Sequence, residues 1–87
     1  MANHVSADKR NRQRIVRTLR NRSVRTAVRN ALRTARAALE AGDKAAAAEP
    51  VKKAVSILFR AVSKGVLHQK TASRTTSRIE SALAKLG

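Results

Sequence analysis

Residues 22–39 read RSVRTAVRNALRTARAAL, and the spacing of their side chains decides the fold. Val24, Val28, Ala31, Ala35 and Leu39 recur at three- and four-residue steps, which puts them on one face of an α-helix with 3.6 residues per turn. Arg22, Arg25, Arg29, Arg33 and Arg36 recur at the same steps, so they form a second stripe away from the apolar one. A helix built this way has one side for a core and another for an anion.

Working outward, Gly42 and Gly65 divide the chain into three stretches rich in helix formers. Ser6 is placed to cap a first helix over about residues 7–41, with Asp8 in its first turn facing the positive end of the helix dipole. Gly42 suits the position after that helix, where a left-handed conformation is needed, and Asp43 suits the next N-cap. A second helix is expected over about residues 44–64, a short link over 66–70, and a third helix over about 71–86. Val51, Val55, Leu58 and Val62 share a face of helix 2, widened by Ala54, Ile57 and Ala61, with Lys53, Arg60 and Lys64 opposite. In helix 3, Ala72, Ile79, Leu83 and Leu86 face away from Lys70, Arg74, Arg78 and Lys85. Strand-like alternation is absent, so the reading is all-α: a single domain over residues 1–87, folded as a three-helix bundle.

Two segments depart from the pattern. Pro50 falls seven residues into helix 2, where it removes a backbone hydrogen bond and crowds the preceding turn. Either the helix kinks or loosens there, the favoured reading, or residues 44–49 form a separate first turn and Pro50 opens the main helix. In residues 9–20, Lys9, Arg10, Arg12, Arg14, Arg17 and Arg20 point around the whole circumference, interrupted only by Ile15, Val16 and Leu19. Such a segment has no clean apolar face to bury. Helix 1, at about 50 Å, is also far longer than its neighbours. Its basic N-terminal half is therefore expected to project beyond the bundle.

Charge narrows the function. Twenty Lys and Arg stand against five Asp and Glu, a formal net charge of +15 on 87 residues, and residues 9–36 hold eleven bases and no acid. Solvated helix faces ordinarily mix signs, so a run of one sign implies a polyanionic partner. Arginine dominates in it, and its planar fork suits bidentate contacts to phosphate. With no Cys there is neither a disulfide scaffold nor a thiolate zinc site, and His4 and His68 are too far apart to begin a metal site. Phe59 is the sole aromatic residue, which leaves no platform for stacking single-stranded bases. The longest strictly apolar run is the four alanines at 45–48, too short for a membrane span, and the basic N-terminus lacks the apolar centre of a signal peptide. No nucleophile–base pair or paired carboxylates can be read, so neither an enzyme, a small-molecule substrate nor a cofactor is expected. A bacterial nucleoid or DNA-binding protein is the alternative that composition permits, although no helix-turn-helix is evident. A membrane-surface amphipathic protein would want larger apolar residues opposite the charge than Ala and Val.

Four stretches, in order, carry a family resemblance: Ala2-Asn3-His4-Val5-Ser6-Ala7 followed by Lys9-Arg10 and Arg12-Gln13; Leu19-Arg20-Asn21-Arg22-Ser23-Val24; Ala41-Gly42-Asp43; and Ser63-Lys64-Gly65-Val66-Leu67-His68-Gln69-Lys70-Thr71-Ala72-Ser73-Arg74. In this order and spacing the chain resembles the bacterial small-subunit ribosomal protein twenty family over essentially its whole length. The resemblance implies a bundle with a long first helix and direct binding to 16S rRNA in the lower body of the small subunit, early in assembly. It also implies a ribosome-bound, cytoplasmic protein present as a monomer. By position, Asn3, His4, Ser6, Lys9, Arg10, the helix 1 arginines, Lys64, His68, Lys70 and Arg74 would face RNA, and Arg78 extends that set along helix 3. His68 alone reads equally well as a linker residue capping a helix end. Val5, Asp8 and Pro50 depart from the family pattern, and Asp8 suits a helix N-terminus better than RNA.

Overall fold

The computed structural model describes residues 2–86, with side chains from Ser6 onward. Among the described residues there are three helices and no strand: α1 (Ala2–Glu40), α2 (Lys44–Ser63) and α3 (Gln69–Lys85). Helix α2 lies in the middle, packed against both neighbours, and α1 and α3 touch each other only slightly. The molecule measures 67 × 20 × 13 Å, with a radius of gyration of 17.8 Å. A compact chain of this length would have a radius near 12 Å. The difference comes from α1, whose 39 residues span about 58 Å at ~1.5 Å per residue.

The phase of the sequence pattern survives in the core. Val51, Ala54, Leu58 and Ala61 are buried in α2, Ala35 in α1, and Ala72 and Ile79 in α3. Ala31, Leu32, Leu39, Val55 and Leu83 pack around them, partly buried. Ala47 joins the buried line one turn before Val51, a position that periodicity supplies but that the run of four alanines hides. Among the described residues, five of the eight buried apolar ones are alanine, so the helices meet along short side chains and the core is thin. Leu58, Val51 and Ile79 carry most of its hydrophobic stabilisation, about 1.5–3 kcal/mol each.

Helix ends explain how so thin a core fixes three helices. At the α1–α2 turn, Gly42 takes a φ of 81° that a Cβ would resist, and its N–H donates to the Leu39 carbonyl at 3.1 Å. Asp43 is the N-cap of α2, its Oδ1 accepting from the N–H of Ala45 at 3.1 Å and of Ala46 at 3.3 Å. At the far end of α2, Gly65 has a φ of 74°, with Gly65 N–H on the Val62 carbonyl at 2.9 Å and Val66 N–H on the Ala61 carbonyl at 3.0 Å. That pair of bonds is a Schellman motif, and it satisfies two carbonyls that would otherwise lack partners.

Two local expectations change, and the proline in α2 leaves that helix in one piece. Helix α1 begins at Ala2 rather than near residue 7, so Ser6 is an ordinary helical residue and Asp8 stands beyond the first turn. Nothing in residues 2–5 is a helix breaker, and a capping side chain matters only where the backbone leaves the helix. Helix α3 begins at Gln69, two residues before the expected Thr71, because His68 takes the capping position. Pro50 sits inside α2 without dividing it. Its missing N–H leaves the Ala46 carbonyl unpartnered within the helix, and Ala46 is exposed, so water can take that bond.

Among the described residues Thr76 is the one buried polar residue, and its Oγ1 has no hydrogen-bond partner. Thr76→Val keeps the volume and removes an unpaired buried hydroxyl. Its unfolding free energy should rise by about 1 kcal/mol and its melting temperature by roughly 4–8 °C in a thermal scan. A lower melting temperature would mean that the hydroxyl is bonded in the folded protein.

Candidate nucleic-acid interface

The apolar phase of α1 leaves its other sides free, and the bases occupy them. Lys9, Arg10, Arg12, Arg14, Arg17, Arg20, Arg22, Arg25, Arg29, Arg33 and Arg36 are all exposed. From Ser6 to Arg20 every residue is exposed, so this half of α1 is a bare rod. At about 100° per residue its six bases spread over roughly 200° of the circumference rather than all of it, and Asp8, Asn11, Ile15, Thr18 and Leu19 hold the remaining sector. From Asn21 onward half-buried positions appear at helical spacing, where α1 meets the bundle and its bases narrow to a stripe.

Open grooves lie between these bases along α1. One of about 430 Å³ is lined by Arg12, Gln13, Val16, Arg17 and Arg20. A second, of about 580 Å³, is lined by Thr18, Asn21, Arg22, Arg25, Thr26 and Arg29. A third, of about 400 Å³, lies among Arg29, Arg33, Arg36, Ala37 and Glu40. Thr26 donates its hydroxyl proton to the Arg22 carbonyl at 2.9 Å, and Thr34 likewise to the Asn30 carbonyl at 3.0 Å. Those hydroxyls are left with lone pairs only. The donors that the second groove offers a phosphate are therefore its guanidinium groups, the Asn21 amide and the Thr18 hydroxyl. Asn21 escaped the sequence reading because a lone amide has no charge periodicity.

The other helices carry their own basic faces. Lys52, Lys53 and Arg60 of α2 are exposed, as is Lys64, which caps its C-terminus with its N–H on the Arg60 carbonyl at 3.0 Å. On α3, Lys70, Arg74 and Arg78 are exposed one turn apart, with Lys85 in the last turn. Ser6 is exposed on the rod. The side chains of Asn3 and His4 lie outside the described residues. Among the described residues, no three His, Cys, Asp or Glu side chains gather as a metal site, and no helix is long and apolar enough to cross a membrane.

His68 has a definite local role. It is the N-cap of α3, and its Nδ1 accepts from the Lys70 N–H at 3.1 Å. The bond fixes the neutral ring as the tautomer with the proton on Nε2. His68 thus holds the start of α3 while presenting one outward N–H donor, so the capping and the RNA-facing readings are compatible.

The family model described as Ribosomal protein S20 matches residues 2–84 of this chain. The small ribosomal subunit protein bS20 of Desulfotalea psychrophila is 54% identical over 79 residues, covering 91% of this chain and 89% of the relative. That of Sorangium cellulosum is 54% identical over 85 residues, 98% of this chain and 89% of the relative. That of Maridesulfovibrio salexigens is 46% identical over 86 residues, 99% of both chains.

Removing the cap tests the role of His68. His68→Ala should lower the unfolding free energy by about 1 kcal/mol in urea titrations, and His68→Asn should restore most of the loss. Equal stability of the wild type and the Ala variant would show that the Nδ1 bond does not hold the helix end.

Proposed function

Because the chain belongs to the ribosomal protein S20 family, a structural family of the small ribosomal subunit and not an enzyme family, we propose that it binds 16S rRNA directly and stabilises the packing of rRNA helices during assembly. The observation that carries this reading is the acid-free run of eleven bases in residues 9–36, all of them exposed. Bases spread over more than half of the rod's circumference suit a crevice between RNA segments better than the single face of a duplex or a membrane. Each guanidinium held between two phosphate rows lowers the repulsion between them, so packing of the RNA and seating of α1 reinforce each other.

The RNA-facing set is Asn3, His4, Ser6, Lys9, Arg10, the α1 arginines, Lys64, His68, Lys70, Arg74 and Arg78. Their partners are chiefly phosphates and 2′-hydroxyls. A-form RNA hides its major-groove base edges, so base sequence is read little and shape is read strongly. The protein acts as one copy per small subunit in the cytoplasm, without cofactor or small-molecule substrate. Its α2 and α3 bases hold the bundle against neighbouring phosphates while the rod enters.

Affinity should fall steeply with salt as condensed counterions are released. Replacing Arg25, Arg29 and Arg33 together by Ala should weaken binding to refolded 16S rRNA. It should also flatten the log–log salt dependence by about one for each phosphate contact removed. Weaker binding with an unchanged slope would show that the stripe does not meet phosphate.

A further inference from the structure

Three aliphatic side chains on the rod have no part in the bundle and none in phosphate binding. Ile15, Val16 and Leu19 are 51%, 66% and 57% exposed, on a segment where charge otherwise prevails. They are not a frayed end of the core. At about 100° per residue, the centre of this patch lies about 160° around α1 from the centre of the stripe formed by Val24, Val28, Ala31, Ala35 and Leu39. The bundle packs on the opposite side and cannot cover it.

The surroundings say what can. Arg12 precedes the patch and Arg22 follows it, about 15 Å apart along the axis. Between them the groove beside Val16 is rimmed by Arg12, Arg17 and Arg20. A second copy of the chain, at net charge +15, would bring these cations against their equals. The matching surface is uncharged in the middle and anionic at both sides. The wide, shallow minor groove of A-form RNA has that layout. Its floor of base edges and riboses is uncharged, with ribose C–H faces between the 2′-hydroxyls for aliphatic side chains to cover, and a phosphate row runs along each flank. Asp8 fits as well. It shares the side of α1 that carries Ile15, two turns earlier, where a carboxylate repels a phosphate ridge but accepts a hydrogen bond from a ribose 2′-hydroxyl.

We propose that Ile15, Val16 and Leu19 seat in the minor groove of an rRNA helix, against ribose edges, with Arg12 and Arg22 on the flanking phosphates. This deepens the rRNA-binding reading and rests on it. The contact adds shape recognition of a double-stranded RNA segment to charge neutralisation. It also gives the base-free side of the rod a contact of its own with RNA.

The test replaces the three residues together with Gln (I15Q, V16Q, L19Q), a polar, uncharged residue of good helix propensity. All three positions are exposed, so folding is not at stake, and circular dichroism of the free protein checks it. The dissociation constant for refolded 16S rRNA should rise at least tenfold. The salt slope should stay that of the wild type, since no cation is lost. Hydroxyl-radical footprinting, which reads ribose accessibility, should lose protections beneath the rod, and a variant with Ile15→Leu and Leu19→Met should keep them. Wild-type affinity and an intact ribose footprint in the Gln variant would overturn the proposal. So would wild-type self-association in sedimentation equilibrium that the Gln variant abolishes while still binding RNA normally. If the wild type itself fails to bind, the rRNA reading is what falls, and the parallel titration separates that failure from this one.

Discussion

Like-charge repulsion along α1 is the constraint around which this molecule is organised. Eleven bases without an acid share the helix between Lys9 and Arg36, some at i,i+4 spacing such as Arg10 with Arg14, where two cations destabilise a helix in water. The fold handles half of the problem itself. From Asn21 onward α1 has an apolar face, and burying it on α2 holds the helix while its arginines stay solvated on other sides. Before Asn21 there is no such face, and helix propensity alone opposes repulsion and fraying. The remaining half of the problem calls for an anion outside the chain, the role proposed for rRNA.

The bundle answers with small means. Its core is mostly alanine, so stability per residue is low, and the middle helix must hold both neighbours. The ends are therefore specified by backbone chemistry rather than by bulk: a left-handed glycine and an aspartate cap between α1 and α2, and a Schellman turn and a histidine cap between α2 and α3. These devices set the angles at which basic faces emerge. The basic faces are thus placed by short-range hydrogen bonds.

Much of this was legible in the sequence. The three helices, the phase of their apolar faces and the projecting rod follow from spacing, because a 3.6-residue period is a geometric signal that packing rarely overrides. The glycine turns and the Asp43 cap were legible for a similar reason, since their chemistry is local. Ser6 misled because a good capping residue in mid-helix looks the same in sequence as one at a helix end. His68 was only half-read because histidine is not a favoured cap, and its Nδ1 bond to Lys70 appears only in three dimensions. Thr76 was missed because a polar residue on an apolar line reads as an interruption. Ile15, Val16 and Leu19 were visible as an interruption of charge. Their meaning depended on where the bundle packs on α1, which one helix considered alone does not reveal.

The central claim is that the rod from Ser6 to Arg20 is completed by RNA on all its sides. Hydrogen exchange of its backbone amides, free and bound to refolded 16S rRNA, measures this most directly. In the free protein these amides should exchange far faster than those of residues 47–61 in α2, and on binding they should become protected throughout the segment. Protection confined to residues beyond Asn21, with the rod still exchanging freely in the complex, would contradict the account.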